Sequence, residues 1–431
     1  MNSALRSVTR RAFQGLASAG LMGLLANRSQ AFSDPDYTIC VIPDPQYLTV
    51  SVGCTALYNQ MANRIASDQA AWNTKCVIGV GDCQNNGTVA SNGEGTVFAN
   101  AVAILNTAGI PYISPPGNHD YDGGRGGASS RSNLCFAFLA GNIMGANTRA
   151  AWFGAGRSIG AGDMAYWVGS YDTTGANTAI SLLIGSRKLL IISLEFYPGS
   201  GPLNWAKGLH DSYVGMGYEV HVTTHGYSTT STSFSFATRV GGFGPTLYSM
   251  AAAPYANSGL EMWRGYFPSD AVDPSDPTWA GLQKWSNLLG LYCGHWIDGG
   301  QSGNTYWRLS QQASTSSRAQ TVQQLFVNMQ ERDNPGSSLN PPPGTYCTGG
   351  TPDGASDVAH LFYLKFRPSL NTVEGYMFSS NSGKYATGSG GTTWPFCTSS
   401  TPVNLFGSVA WAGINSPVLP VFGGAAHRQG K

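Results

Sequence analysis

The sequence predicts an α/β fold, a parallel or mixed sheet with helices packed outside it. Two observations predict this. Between residues 37 and 119, short apolar runs alternate with stretches whose apolar residues recur at helical spacing. Each apolar run also halts at a polar loop that carries an Asp, Asn or His. Repeated strand–helix–strand units imply parallel pairing with helices on the sheet faces, and sites collect at the carboxyl ends of such strands.

The elements follow in order. Residues 37–43 (YTICVIP) read as a buried strand that stops at Asp44. Leu57, Met61, Ile65 and Trp72 mark a helix over 54–73, and 76–80 form a second strand halting at Gly81-Asp82. A helix over 97–107 leads to a third strand, 111–114, which ends at Pro115-Pro116-Gly117. The Gly/Ala/Ser-rich stretch 123–162 reads as a surface excursion. Runs 180–184 and 189–193 flank Gly185-Ser186-Arg187-Lys188, a hairpin with a four-residue turn. Residues 218–223 form a strand ending at Thr224-His225, and 228–277 a second excursion, rich in aromatics. A helix is expected over 279–288, then a strand 289–293 that halts at Gly294-His295. Strands 322–330 and 361–366 follow, with 373–378 as hairpin partner of the latter. One domain over 32–390 is expected, between a leader and a Gly/Ser/Pro-rich tail, 391–431.

Composition narrows the class. The 431 residues are 42% hydrophobic but only 11% charged, with a formal net charge of +1. Disorder requires low hydrophobicity and high net charge, and a nucleic-acid binder requires a basic footprint; neither is present. Residues 1–31 hold Arg6, Arg10, Arg11 and Arg28 and no Lys, Asp or Glu. Thr9-Arg10-Arg11-Ala12-Phe13, a mild apolar stretch over 15–26 and Ser29-Gln30-Ala31 resemble a twin-arginine signal peptide with its cleavage site. Removing these four of the 24 basic residues leaves 20 against 23 acidic ones, a mature chain at −3. No later stretch reaches the ~18 apolar residues of a transmembrane helix. The expectation is an exported protein, periplasmic or extracellular. Eight cysteines lie in the mature part, in a compartment that permits disulfides. Cys40, Cys76 and Cys293 sit in apolar runs as small buried hydrophobes, while Cys347 and Cys397, in Gly/Thr/Pro-rich loops, are the expected bridged pair.

The chemically loaded positions are Asp44-Pro45-Gln46, Gly81-Asp82 with Asn85, Gly117-Asn118-His119-Asp120, Thr224-His225 and Gly294-His295. Each follows a predicted strand, so the topology can bring them to one sheet edge. Carboxylates, amide carbonyls and imidazoles together suit divalent metals of intermediate hardness. A lone His at a strand end is an ordinary structural residue and Asp44-Pro45 or Gly-Asn-His-Asp an ordinary turn, but independent turns do not need this residue order.

In that order the segments resemble a calcineurin-like metallophosphoesterase, whose pattern runs D-x-[H/Q], G-D-x-x-[D/N], G-N-H-[D/E], a strand-end His and G-H-x-H. The resemblance covers about residues 37–387, and Gly117-Asn118-His119-Asp120 is its most specific element. Leu194-Glu195-Phe196 with Leu203-Asn204-Trp205-Ala206, and Asn328-Met329-Gln330, resemble further segments of an exported D-x-Q branch. The resemblance implies a four-layer αββα sandwich of two mixed sheets. It implies two divalent metal ions, with Mn, Fe, Zn and Ca not distinguished. Asp82 would bridge them, Asp44 and Gln46 would hold the first, and Asn118, His225 and His295 the second. It implies phosphoric ester hydrolysis, mono- or diester, by a metal-activated hydroxide. His119 would serve the leaving group, with Asp120 fixing its orientation.

Two positions depart from the pattern. Gln46 stands where many relatives carry His, and Ile297 where the second His of G-H-x-H belongs. The first ion is thus left with oxygen donors, which favour Mn, Mg, Ca or ferric iron over Zn. Asn85 offers a further oxygen, as a ligand or as a loop residue behind the ligands. The expected partner is a phosphate ester. The alternative is a degenerate fold of the same kind acting as an extracellular binding protein. Its motivation is Ile297 and the aromatics Tyr248, Tyr255, Trp263, Tyr266 and Phe267, which could stack on cell-surface glycans.

Overall fold

The computed structural model describes residues 34–49, 52–87, 93–121, 134–229, 235–236, 259–264, 281–295, 307–313, 321–329, 359–370, 372–381, 385–386, 396–397 and 409–410. The expected signal peptide, Ile297, Cys347 and most of 228–277 lie outside them.

In chain order the elements are β1 (Tyr37–Ile42), α1 (Val52–Trp72), β2 (Thr74–Gly79), α2 (Glu94–Thr107), β3 (Tyr112–Ile113), α3 (Ala146–Phe153), β4 (Arg157–Ser158), β5 (Met164–Ser170), β6 (Thr178–Ile184), β7 (Arg187–Leu194), α4 (Ser200–Val214) and β8 (Glu219–Thr224). A short pair, β9 (Ser228–Thr229) and β10 (Ser235–Phe236), and α5 (Gly259–Arg264) precede β11 (Leu288–Cys293), β12 (Trp307–Ala313), β13 (Thr321–Val327), β14 (His360–Arg367) and β15 (Thr372–Ser379). Among the described residues three two-residue strands follow: β16 (Tyr385–Ala386), β17 (Phe396–Cys397) and β18 (Val409–Ala410).

The strands form two mixed sheets. The first runs β17-β16-β15-β14-β1-β2-β3, with β18 on β15; the second runs β12-β13-β11-β8-β7-β6-β5-β4. β1, β2 and β3 are parallel to one another, as are β7, β8, β11 and β13. The expected α/β sandwich of two mixed sheets with helices is therefore present.

The apolar runs are continuous because both faces of each sheet are covered. In β1, Tyr37, Ile39 and Val41 enter the core between the sheets, whereas Cys40 and Ile42 face the cluster formed with α1 and α2. In β7, Leu189 and Ile191 face the inter-sheet core, while Leu190, Ile192 and Leu194 meet Leu203 and Ala206 of α4. Each such fully buried Ile or Leu contributes about 1.5–3 kcal/mol relative to exposure.

Several expectations need correction. Residues 282–284 make a single 3-10 turn and not a helix. Leu282, Trp285 and Leu288 repeat like a helical face, but Gly281 and Asn287 take left-handed φ of 77° and 59°, which interrupts a right-handed helix. The 184–187 hairpin turns on Gly185-Ser186 alone, because Arg187 and Lys188 continue the ladder. The excursion 123–162 is in part core: Leu134, Cys135, Phe138 and Phe153 are buried in it. β17 and β18 lie inside the expected tail. Among the described residues no disulfide forms, and Cys40, Cys76, Cys83, Cys135 and Cys293 are buried free thiols. Trp263 belongs to the core beside α4 rather than to an aromatic surface.

Candidate metal centre

Parallel pairing places five chain segments at one edge of the sandwich. Asp44 follows β1, Asp82 follows β2 and Asn118 opens the 3-10 turn Asn118–Asp120 after β3. His225 follows β8 and His295 follows β11. The two sheets thus contribute different chemistry, oxygen donors from the first and imidazoles from the second.

His225 fixes what the centre can bind. Its Nδ1 lies 2.7 Å from the Val80 carbonyl, which can only accept, so Nδ1 carries the proton. In a neutral imidazole the Nε2 lone pair then faces Asp82 Oδ2 at 3.1 Å and Asn118 Oδ1 at 3.1 Å. Three acceptors converge where charge must be supplied, either by a second proton or by a cation. His295 extends the set: one ligand atom each from Asp82, His225 and His295 lies within 4.8 Å of the others, all three residues buried. The two imidazole rings are 4.8 Å apart, centroid to centroid, against the wall made by Phe196.

The approach is so close that two positions exclude a side chain. A Cβ on Gly117 would sit 2.1 Å from Asp82 Oδ1, and one on Gly81 would sit 2.6 Å from His225 Nδ1. The glycines of both motifs are therefore steric requirements. Asp44, Asp82 and His295 take left-handed φ of 39°, 49° and 73°. Such non-glycine backbone costs of order 1–3 kcal/mol per residue and gathers at functional sites; here it turns each side chain inward from its strand end.

Electrostatics follow from burial and neighbours. Burial pushes the Asp82 carboxyl up, but the imidazoles of His225, His119 and His295 outweigh it and bring it down to about 2. Burial, then His225, hold His295 well below the usual imidazole range, so its ring is neutral and keeps a donor lone pair. Asp120 is raised well above the carboxylate range by burial and by the Asp82 charge, against the pull of its backbone N–H donors.

The remaining expected residues divide. Asp44 Oδ2 accepts from Asn328 Nδ2 at 2.9 Å, and the same nitrogen donates to the His295 carbonyl at 3.0 Å. Gln46 is buried in the 3-10 turn Gln46–Thr49 of the same loop. His119, half-buried between two buried neighbours, has Nδ1 2.7 Å from the Asn85 carbonyl. That contact is made by the Asn85 carbonyl and not by the Asp120 carboxylate. Asp120 instead accepts from the backbone N–H groups of Gly117 (2.7 Å), Cys83 (3.0 Å) and Gln84 (3.1 Å), tying the Asp82 loop to the Asn118 loop.

Sequence reasoning gave no role to three supporting residues. Asn328 ties Asp44 to His295. Glu195 accepts from Tyr121 Oη at 3.0 Å and Asn177 Nδ2 at 2.9 Å, bracing the segment before the Phe196 wall. Glu94 accepts from the backbone N–H groups of Asn85 and Asn86. The sequence carries no signal for any of the three; their partners show only in three dimensions.

No family model matches the chain, and no curated protein matches it. Solved structures do. Purple acid phosphatase PPD1 from yellow lupin (Lupinus luteus) seeds is 11% identical, with a TM-score of 0.42, over 82% of this chain and 53% of that one. A dimetal phosphatase from Danio rerio is 10% identical, with a TM-score of 0.36, over 84% and 98% of the respective chains. GAP50, described as the anchor in the inner membrane complex of Plasmodium, is 9% identical, with a TM-score of 0.33, over 81% and 86%. The chain spans about half the length of the lupin phosphatase. At identities this low the likeness is one of chain path, and the chemistry rests on the side chains themselves. Those side chains and the two sheets define a class: an α/β sandwich of two mixed sheets with a buried cluster of oxygen and imidazole donors that could hold a cation.

Proposed function

We propose that the protein is an exported, metal-dependent phosphoric ester hydrolase. One observation carries the proposal: His225, with its Nδ1 proton committed to Val80, aims Nε2 at the acceptors of Asp82 and Asn118. The donor set fits divalent cations. Asn118, His225 and His295 would hold one ion, Asp44 and Gln46 an oxygen-bound second, and Asp82 would be shared between them. When bound, such ions acidify a water and neutralise phosphate charge.

The chain's own residues supply the rest. Asp82 is ionised throughout the physiological range because its carboxyl lies near 2. Its Oδ1 also accepts from the His119 backbone N–H at 2.9 Å, fixing the position of His119 over the site. With His119 Nδ1 donating to Asn85, proton exchange with a leaving oxygen runs through Nε2. The Phe196 and Tyr197 rings wall the His295 side of the centre, with centroids 5.0 and 6.5 Å from that of the imidazole.

Export rests on the arginine pair Arg10-Arg11 and its apolar sequel, and cell fractionation with N-terminal sequencing of the mature chain tests it. The activity is tested by hydrolysis of aryl phosphate mono- and diesters with Mn, Zn, Fe, Mg or Ca added. Loss in both Asp82→Asn and His119→Ala is expected; undiminished turnover in both overturns the assignment.

A further inference from the structure

We infer that Glu94 is a positioning residue for His119, acting through the backbone of Asn85. This rests on the proposed role of His119 and adds a residue outside all five motif segments. Glu94 opens α2 and is buried. Its Oε2 accepts from the backbone N–H of Asn85 at 2.8 Å and of Asn86 at 2.7 Å, and from the Thr49 hydroxyl at 3.2 Å. Its Oε1 accepts from Asn86 Nδ2 at 2.7 Å. Thr49 Oγ1 lies beside that carboxylate oxygen, 3.2 Å from the Asn85 nitrogen, and its one proton is shared between Glu94 and the Gln46 carbonyl, the latter at 2.7 Å. One carboxylate therefore pins both the Asn85–Asn86 loop and the loop that carries Gln46.

The consequence passes to His119. The Asn85 peptide is held at its N–H side by Glu94, and the residue's carbonyl receives His119 Nδ1 at 2.7 Å. That carbonyl selects the tautomer with the proton on Nδ1 and directs Nε2 outward. The loop 85–86 offers little packing of its own, since both residues are only partly buried. Charge-assisted hydrogen bonds from a buried carboxylate are the strongest restraint on it. Removing them lets the carbonyl wander and leaves the imidazole without a fixed orientation, with the strands and the Asp82, Asn118, His225 and His295 donors, none of which Glu94 touches, in place.

The test is a double-mutant cycle on the full chain, read by kinetics and by imidazole nitrogen NMR of isotope-labelled protein. Glu94→Ala is expected to lower kcat about 10–100-fold, within the ~10²–10⁴ available to a general acid, with KM and metal content within twofold of wild type. In a His119→Ala background the same substitution is expected to change kcat less than twofold, because its effect runs through His119. The loss should be greater for alkyl than for nitrophenyl esters, whose leaving group needs less protonation. Glu94→Gln, which keeps the volume and an acceptor oxygen, should recover part of the rate and serves if the alanine variant fails to fold. NMR should show one Nδ1-protonated His119 in the wild type and exchange between tautomers in Glu94→Ala. An equal kcat loss with and without His119, or an unchanged His119 tautomer in Glu94→Ala, overturns the inference. Absence of phosphoesterase activity in the wild type overturns the proposed function instead, and the NMR comparison still decides the role of Glu94.

Discussion

Asn328 Nδ2 donates to Asp44 Oδ2 at 2.9 Å, joining residues 284 positions apart and tying the second sheet to the first at the candidate centre. The same amide reaches the His295 carbonyl, so a single buried side chain sets the separation of two proposed ligands. Residues that orient ligands in this way commonly govern affinity by 10–100-fold. Asn328→Ala is expected to weaken binding of added Mn by about that factor, measured by calorimetric titration of metal-stripped protein. Unchanged affinity would show that Asp44 needs no such support.

Gly117 provides a steric test that leaves every donor in place. Its φ of −94° suits any residue, but an added Cβ would meet Asp82 Oδ1 at 2.1 Å. Gly117→Ala should cut metal content to below half of wild type and activity at least tenfold, with the strands unperturbed in far-UV dichroism. The clash is with a proposed ligand, so a drop in melting temperature with full metal content would contradict the geometry.

Asp120 separates structure from chemistry. It accepts three backbone N–H bonds and does not touch the His119 ring among its hydrogen bonds. A buried backbone N–H left without its acceptor costs about 1–3 kcal/mol. Asp120→Ala should therefore destabilise the protein by several kcal/mol in denaturant titration while leaving the His119 tautomer unchanged. A tautomer change with little loss of stability would restore the orienting role that the resemblance implies.

Much of this arrangement is legible in the sequence, for a physical reason. Strands buried on both faces are continuous apolar runs, so the first polar residue after Ile42, Val80 or Cys293 marks a strand end, and parallel strands bring those ends together. Asp44, Asp82 and His295 are all such residues, whereas His225 follows β8, which itself carries Glu219, His221, Thr223 and Thr224. Long-range polar partners leave no periodic trace. Nothing near Asn328 signals a bond to Asp44, and Glu94 looks like any acidic residue in a first helical turn. The 3-10 turn at 282–284 departs from the helix that apolar spacing predicts because that spacing is blind to the left-handed backbone at Gly281 and Asn287.

His221 contributes to the acid sensitivity of the fold. It lies on β8, four residues before His225, with Nδ1 2.8 Å from the Tyr292 hydroxyl. Burial, then the Arg187 charge, lower it from 6.5 to about 3. The unfolded chain therefore takes up this proton first. The stability from neutral His221 is complete above about pH 6.5 and is lost as pH falls toward 3. Melting temperature should fall over that window, and His221→Gln should flatten the slope. An identical slope in the variant would place the acid sensitivity elsewhere.

Anomalous diffraction from crystals of protein purified from its native compartment, joined to elemental analysis, tests the central claim most directly. The account predicts at least one ion per chain within bonding distance of Asp82, Asn118, His225 and His295, lost in Asp82→Asn. Fewer than ~0.1 ions per chain after Mn is added in excess, with His225 instead doubly protonated between Val80 and Asp82, would contradict it.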